Sequence, residues 1–259
     1  MEKENILLEI AGAKATLSLN REEKRNALSG EMVRAILGHL SALRENDAVR
    51  VVCLTSAGGK FFCSGGDLGG MMGGAGGGPA AAMREYAELL KAILRLPKPV
   101  VCRLNGIAQG GGIGLMLACD IVVARSDVEI GTPEVNVGIF PMMIGALLYR
   151  NALWKKAMKM ILTGTRVDAL EAERMGLVSQ VVPPESFDGE VEALLENLAA
   201  KSPSAVRIGK EAFYAMGDMD FDASLDYLCE GLQKVMATED AFEGMSAFLE
   251  KRKPQFKCR

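Results

Sequence analysis

Apolar segments of strand length alternate with helical patterns along most of this chain. The strand-like runs cover residues 6–10, 15–20, 51–55, 99–104 and 121–124. A helical pattern begins near Ser29, a residue type that caps helices well, and another covers about residues 80–96, before Pro97 and Pro99. This alternation predicts an α/β fold with helices outside a sheet.

The strand signal disappears from about residue 202 onward. Residues 205–216 and 221–251 show helical patterns only. A chain of 259 residues, 49% of them hydrophobic, is long enough to build one large core or a core with an appendage. We therefore predict an α/β core over residues 1–200 and a helical region over residues 201–259.

Charge and hydropathy argue against two classes of partner. Lys and Arg total 30 against 33 for Asp and Glu, so the net charge of -3 gives no reason to expect binding to nucleic acid or to an anionic membrane. No apolar run approaches the roughly 20 residues of a membrane span. Residues 1–5 contain two Glu and one Lys and do not resemble a secretion signal. We expect a cytoplasmic protein.

Cysteine and histidine usage gives no support for metal or triad chemistry. The six cysteines lack C-x-x-C spacing and lie mostly in apolar patterns, which predicts buried free thiols. His39 is the only histidine and lies in a helical pattern, so a Ser-His-Asp triad or a His-rich zinc site is not expected. Carboxylates and backbone amides are left to carry any catalysis.

Two glycine-rich segments follow strand-like runs. Residues 105–114 are Asn-Gly-Ile-Ala-Gln-Gly-Gly-Gly-Ile-Gly, and residues 61–68 are Phe-Phe-Cys-Ser-Gly-Gly-Asp-Leu. Because glycine loses much conformational entropy on folding, such clusters indicate either a tight turn or the close approach of another group. The first segment alone does not decide between these. Two such segments together suggest a pair of converging amides, which is how an oxyanion hole stabilises a thioester enolate.

These segments resemble the crotonase superfamily, the enoyl-CoA hydratase/isomerase family, and shorter motifs extend the resemblance over nearly the whole chain. Those motifs are Leu19-Asn20-Arg21 with Arg25-Asn26-Ala27-Leu28, Ala118-Cys119-Asp120-Ile121, Gly131-Thr132-Pro133-Glu134, Leu162-Thr163-Gly164, Gly176-Leu177-Val178 and Phe248-Leu249-Glu250-Lys251-Arg252. The resemblance implies a spiral of β-β-α units followed by a helical trimerisation region. It also implies an acyl-CoA substrate with no separate cofactor, and a homotrimer or a dimer of trimers.

The resemblance also assigns catalytic roles. Gly66 and Gly111 match the two amide donors, and Glu134 matches the carboxylate that moves a proton at the α or γ carbon of the substrate. The sequence Thr132-Pro133-Glu134 is equally typical of a helix start, with an N-cap, a first-position proline and a first-turn acid. Capping alone therefore accounts for the same three residue types.

Several positions match the family's contacts with coenzyme A. Arg25 and Ala27 match the loop that meets the phosphates and pantetheine, and Lys251 matches a lysine that reaches the nucleotide of a neighbouring subunit. The segment on the adenine side corresponds to Lys60, Phe62, Ser64 and Gly65, and it ends at Asp67 beside the first donor. For Lys60 and Lys251 an ordinary solvated lysine remains the alternative.

The chain departs from the hydratase pattern at one catalytic position. Typical hydratases carry a second glutamate two residues after the glycine triplet, where this chain has Gly114. Their later Gly-x-Gly-Gly-Thr-Gln stretch is replaced by Phe-Pro-Met-Met-Ile-Gly at residues 140–145. A drier pocket with one carboxylate favours double-bond isomerisation. The dienoyl-CoA isomerase variant is disfavoured, since its extra carboxylates correspond to Gly114, Asn136 and Met142.

Residues 69–79 lie directly after the first donor and contain seven glycines. We predict that they form a mobile lid over the acyl pocket. A plain flexible linker is the alternative. We predict that Met72, Gly114, Met142 and Met143 line an apolar acyl pocket, although methionines at such spacings are also common core filling.

Three functions stay open at this point. The first, which we prefer, is a single-base enoyl-CoA isomerase, with an atypical hydratase as its close variant. The second is another crotonase-type reaction, such as thioester hydrolysis or decarboxylation. The third is a protein that binds acyl-CoA without turning it over.

Overall fold

The computed structural model describes residues 4–67 and 78–258, and within these ranges the chain forms two sheets. The larger sheet has six strands in the order β1 (Ile6–Ala11), β2 (Lys14–Leu19), β3 (Val51–Ser56), β5 (Val100–Leu104), β7 (Ile121–Arg125) and β10 (Gln180–Val182). β1 and β2 form an antiparallel hairpin, and the other neighbours are parallel. The five strands predicted from the sequence are therefore confirmed.

The second sheet is built from four strands of three residues each. Its order is β4 (Phe61–Cys63), β6 (Ile107–Gln109), β8 (Glu129–Gly131) and β9 (Arg166–Asp168). β4, β6 and β8 run parallel, and β9 is antiparallel to β8. The sequence analysis missed these strands because three residues are too few to show a period of two.

The described residues also form ten α-helices. They are α1 (Gly30–Glu45), α2 (Gly78–Leu94), α3 (Gly111–Ala118), α4 (Met142–Asn151), α5 (Trp154–Thr163), α6 (Ala169–Arg174), α7 (Phe187–Ala199), α8 (Pro203–Ala215), α9 (Phe221–Met236) and α10 (Glu239–Leu249). Short 3-10 helices cover Glu22–Lys24, Pro133–Val137 and Met216–Asp218. Ser29 caps α1 as predicted, since its hydroxyl accepts a hydrogen bond from the Met32 amide at 3.2 Å.

The strands and helices repeat as β-β-α units. Each of β3, β5 and β7 is followed by a short strand of the second sheet, and then by a helix. The larger sheet is covered on both faces, as alternate side chains of β3 show: Val52 and Leu54 join the main core, whereas Val51 and Cys53 pack in the smaller cluster with Phe187 of α7. The expected α/β architecture with C-terminal helices is confirmed.

The C-terminal region is helical, but it differs from the prediction in one place. The single helix expected over residues 221–251 is broken between α9 and α10, because Thr238 caps α10 by accepting a hydrogen bond from the Ala241 amide at 3.1 Å. α8 is joined to the larger sheet by an ion pair of 2.6 Å between Lys210 and Asp120. The division near residue 200 and the trimer stay predictions.

All six cysteines are free thiols. Cys53, Cys63, Cys102 and Cys119 are buried as expected, and burial raises the pKa of the Cys53 and Cys63 thiols to about 12. Cys229 and Cys258 are exposed, which corrects the expectation for these two, because they lie on α9 and in the C-terminal tail. Among the described helices, none is both long and apolar enough to cross a membrane.

Candidate active site

Three neighbouring strands deliver the predicted catalytic elements to one place. Gly66 follows β4, Gly111 follows β6, and Glu134 follows β8, and these strands are parallel neighbours in the second sheet. Because the carboxyl ends of parallel strands meet at one edge of a sheet, all three segments converge there. The glycine segments were predicted to follow the long strands β3 and β5 directly. The structure corrects this, because the short strands β4 and β6 lie in between.

A cavity of about 640 Å³ opens at this edge, between the strand ends and helices α1, α2 and α4. It brings together eight of the predicted site residues: Ser64, Gly65, Gly66, Asp67, Gly111, Glu134, Met142 and Met143. Most of the other lining side chains are apolar, including Val33, Met83, Val137, Ile139 and Phe140. Such a cavity is suited to a largely apolar ligand with a few polar anchor points.

Gly66 and Gly111 both line this cavity, and in the described part of the chain their amides have no acceptor. Gly66 pairs with Leu28 in a parallel bridge that uses Gly65 O and Asp67 N, so its own N–H stays free. The Gly111 amide stands in the first turn of α3, where helix geometry supplies no acceptor. Neither N–H finds a hydrogen-bond partner within residues 4–67 and 78–258.

The two amides are also close to each other. A methyl group built on Gly65 lies 3.3 Å from Gly111 N, and one built on Gly111 lies 3.5 Å from Gly66 N. Two such donors can bind one negatively charged oxygen, which is the arrangement of an oxyanion hole. The geometry is consistent with the predicted donor roles of both glycines.

Asp67 holds the first glycine segment in place. Its carboxylate forms an ion pair of 2.7 Å with Arg21, and Arg21 also donates a hydrogen bond to Ala27 O at 3.2 Å. Asn26 is fully buried nearby and donates to Phe61 O at 2.9 Å. These contacts connect the loop before α1 to the end of β4. The observed contact of Asp67 is therefore structural. Its predicted contact with the substrate stays a prediction.

Glu134 lies in the 3-10 helix after β8, with its carboxylate turned into the cavity. Oε1 lies 3.2 Å from a methyl group built on Gly110, and the buried Oε2 has no hydrogen-bond partner among the described residues. Burial raises the pKa of this carboxyl above its ordinary value, although a hydrogen bond from its own backbone amide lowers it in part. The site therefore contains a desolvated carboxylate beside the glycine backbone, as a general base requires.

The capping explanation for residues 132–134 is corrected in one respect. Thr132 precedes the 3-10 helix, but its side chain makes no capping hydrogen bond, and in the described part of the chain its buried hydroxyl has no partner. Capping by the Thr132 side chain is therefore wrong, whereas Pro133 and Glu134 do stand in the first turn as a helix start predicts.

Gly114 has no room for a side chain. A methyl group built there overlaps the Tyr86 hydroxyl and lies 2.7 Å from Ile144 Cγ2. The sequence analysis did not single out Tyr86. A signal was present, however, since Tyr86 is the one polar side chain on the buried face that Leu89, Leu90 and Ile93 form on α2.

The predicted coenzyme A contacts are more dispersed. Arg25 and Lys60 are exposed on the loops beside β4, with the Arg25 guanidinium 5.4 Å from the Phe61 ring, and Ala27 is half-buried. Lys251 is exposed just after α10. None of these belongs to the described lining of the cavity, and their roles stay predictions.

The described lining of the cavity includes neither Phe62 nor Met72. Phe62 is fully buried in the main core, so its side chain cannot line a nucleotide site, which corrects that assignment for the side chain. Met72 lies outside the described residues, as does the predicted lid apart from residues 78 and 79, which already begin α2.

Comparison with known proteins gives one consistent answer. The sequence model of the enoyl-CoA hydratase/isomerase family matches residues 9–259. The crotonyl-CoA hydratase of Syntrophomonas wolfei is 34% identical over 261 residues, which is 99% of each chain. The crystal structure of an enoyl-CoA hydratase from Bacillus anthracis matches with a TM-score of 0.94 and 34% identity, over 99% of this chain and 100% of the other.

A second crystal structure, of an enoyl-CoA hydratase from Mycobacterium smegmatis, also has a TM-score of 0.94, with 36% identity over 98% of this chain and 99% of the other. The chain therefore belongs to the enoyl-CoA hydratase/isomerase family of the crotonase superfamily, a family of lyases and isomerases that act on acyl-CoA thioesters. The resemblance found in the sequence motifs is confirmed.

Proposed function

We propose that this protein moves the double bond of an enoyl-CoA, with Glu134 as the single acid/base. The observation that carries the proposal is the lone carboxylate beside the two free amides. Of the carboxylates that line the described part of the cavity, Asp67 and Glu85 form ion pairs with arginines, and Glu31 is exposed at the start of α1. Position 114, where a second glutamate is typical of hydratases, is a glycine with no free space around it.

The reaction needs one proton and one base. Glu134 removes a proton from C2 of a 3-enoyl-CoA, and the electron pair moves toward the thioester oxygen to give a dienolate. The amides of Gly66 and Gly111 stabilise the negative oxygen. The same carboxyl then returns the proton to C4, which leaves the double bond between C2 and C3, so no atom is gained or lost.

The environment of Glu134 suits a proton that is taken up and then given back. Between the two steps the carboxyl must hold the proton, and its raised pKa makes that neutral form easier to reach. Apolar walls also strengthen the interaction of the amides with the enolate oxygen, since few dipoles are left to screen it. Tight binding of coenzyme A by remote groups, for which we propose Arg25, Ala27, Lys60, Ser64 and Lys251, helps to place C2 against the base.

A second candidate is hydration of a 2-enoyl-CoA. It is favoured by the names of the relatives, which include the crotonyl-CoA hydratase described above. Hydration has to position and activate a water molecule as well as the acyl group, and in this site Glu134 would have to do so without help from residue 114.

Product analysis with two substrates tests the proposal. Wild type is given 3-enoyl-CoA in one assay and 2-enoyl-CoA in the other, and each is repeated with Glu134→Gln, which keeps the shape of the side chain but cannot accept a proton. We expect isomerisation by wild type, a kcat lower by about 1000-fold in the variant, and acyl-CoA binding within about 2-fold. Hydration of 2-enoyl-CoA that exceeds isomerisation, or turnover retained by Glu134→Gln, contradicts the proposal.

The matched control is Glu129→Gln. Glu129 begins β8, the strand that leads to Glu134, but it is exposed and pairs with Arg166 at 3.0 Å outside the cavity. Removal of its charge should leave both activities unchanged. A similar loss in both variants would show that the effect arises from the fold of β8 and not from proton transfer.

A further inference from the structure

Tyr86 reaches the oxyanion glycines from α2. Its ring packs in the main core, only 7% of the residue is exposed, and it also borders the cavity. Its hydroxyl donates a hydrogen bond to Gly111 O at 2.5 Å. A methyl group built on Gly111 lies 3.4 Å from the Tyr86 oxygen and 3.5 Å from Gly66 N, so the phenol stands next to the space that both amides face.

The same hydroxyl fills the position that a side chain at residue 114 would need. Even a methyl group there overlaps the phenol oxygen, and it lies 3.2 Å from the ring carbon that carries this oxygen. A carboxylate at this position would therefore require the tyrosine to move. Tyr86 and Gly114 form a matched pair, in which the large side chain on α2 compensates for the missing one on α3.

We infer that Tyr86 is a positioning residue: its hydroxyl takes the place of a second carboxylate. By holding the carbonyl of Gly111 it fixes the backbone at this residue, and through the Gly111 Cα also the preceding peptide, whose N–H is a donor of the oxyanion hole. This inference rests on the proposed function for its kinetic consequence. Its structural part, the orientation of the Gly111 amide, holds for any acyl-CoA thioester that the hole binds.

The backbone at the start of α3 explains why an external hydrogen bond matters. Residues 111, 112 and 114 are glycines, so this turn has few side chains of its own to restrict the peptide planes. A buried phenol anchored in the core supplies that restriction from outside the helix.

The phenol acts as a donor and not as a base. Burial raises the pKa of Tyr86 well above its ordinary value, and the nearby Cys63 and Glu134 raise it further. The hydroxyl therefore keeps its proton at all working pH values. Gly111 O accepts a hydrogen bond from the phenol, while the Gly111 N–H, which belongs to the preceding peptide, stays available to the substrate.

The test removes the hydroxyl and measures how strongly the oxyanion hole polarises a bound thioester carbonyl. Wild type and Tyr86→Phe are compared by kcat and KM for 3-enoyl-CoA, and by the carbonyl stretching frequency of bound hexanoyl-CoA labelled with ¹³C at the thioester carbonyl. Hexanoyl-CoA is saturated, so it occupies the site without isomerising. Because this frequency is measured on folded protein with ligand bound, a loss of stability alone does not move it.

We expect Tyr86→Phe to lower kcat about 10-fold with KM within about 2-fold, less than the roughly 100-fold loss that follows removal of an oxyanion donor itself. The carbonyl frequency, lowered by binding to wild type, should return part of the way toward its value in solution. The matched control is Tyr149→Phe, since Tyr149 is an exposed tyrosine on α4 that packs edge-on against Trp154. It should change neither quantity.

Gly114→Ala completes a double-mutant cycle. The added methyl group should displace the Tyr86 hydroxyl and reproduce the loss seen in Tyr86→Phe, whereas in the Tyr86→Phe background it should cost only about 2-fold more. Losses that multiply in the double variant contradict the inference.

The carbonyl frequency separates this inference from the proposed function. If the protein does not isomerise 3-enoyl-CoA but the frequency differs between wild type and Tyr86→Phe, the proposed reaction fails and the role of Tyr86 stands. If the frequency is the same in both proteins, or is not lowered by binding to wild type at all, the role of Tyr86 is wrong, whatever the reaction.

Discussion

The six-stranded sheet carries the apolar core of this molecule, whereas the four-stranded sheet carries the candidate active site. In the larger sheet, β3 buries all six of its residues and separates two apolar clusters. In the smaller sheet, β4, β6 and β8 have three residues each, and the segments that follow them carry Gly66, Gly111 and Glu134. Long buried strands thus carry the core, whereas short ones aim the reactive groups, so substitutions in the two sheets should have separable effects.

The largest expected difference concerns two glycines with positive φ. Gly110 has φ +51 at the end of β6, and Gly12 has φ +60 in the β1–β2 turn. A methyl group on Gly12 meets nothing within 4 Å, but one on Gly110 lies 3.2 Å from Glu134 Oε1. Alanine with the positive φ of Gly12 costs about 1 kcal/mol of backbone strain, and at Gly110 the ψ of -123, outside the left-handed helical region, adds to that cost.

Only Gly110→Ala should also lower kcat, by about 100-fold, because displacement by a fraction of an ångström spoils the alignment of base and substrate. Steady-state kinetics together with thermal unfolding of both variants check this. Equal kinetic losses in Gly12→Ala and Gly110→Ala would remove the distinction between the two sheets.

The larger sheet was predictable because its strands are long enough for their apolar residues to be recognised in the sequence. β3 begins with four consecutive apolar residues, Val51–Leu54, and β5 begins with three, Val100–Cys102, and such runs are typical of strands buried on both faces. The helices α1 and α2 were predictable for a similar reason, since their buried residues recur at helical spacing and Ser29 marks a start.

The site was predictable only in part. The glycine segments and Glu134 could be found from motifs, but β4, β6 and β8 could not, because their neighbours in the sheet are distant in sequence. Tyr86 was missed for a related reason: its hydroxyl meets Gly111, 25 positions away, and nothing in the spacing indicates that contact.

A substitution in the larger sheet should have the opposite profile to Gly110→Ala. Leu54 on β3 is 2% exposed and belongs to the main core. Leu54→Ala should lower the free energy of unfolding by about 2 kcal/mol or more, a factor of about 30 in the equilibrium constant, and leave kcat within about 2-fold at low temperature. Denaturant unfolding and an assay at about 10 °C measure the two quantities. If Leu54→Ala had normal stability and a large loss of kcat, the assignment of catalysis to the smaller sheet would be contradicted.

The smallest expected effect is a gain of stability at the site. Because the pKa of Glu134 is raised above 4.5 in the folded state, folding favours the protonated carboxyl. This contribution is fully present below the unfolded pKa and is lost as pH rises through the folded pKa.

Glu134→Gln, which is neutral at every pH, should therefore match the Tm of wild type at about pH 4 and exceed it by about 2 °C at about pH 8. Thermal unfolding across this pH range gives the difference, with Glu129→Gln as the control. A Tm difference that shrinks as pH rises would contradict the assignment of Glu134 as a destabilised, unpaired carboxylate.

Transfer of an isotope label tests most directly that one carboxylate moves one proton. Wild type is given a 3-enoyl-CoA that carries deuterium at C2, and the product is examined by NMR. We predict a 2-enoyl-CoA in which part of the deuterium appears at C4, since Glu134 takes it from C2 and returns it two carbons along, on the same face of the dienolate. A product without deuterium at C4, or a 3-hydroxyacyl-CoA as the main product, would contradict the account.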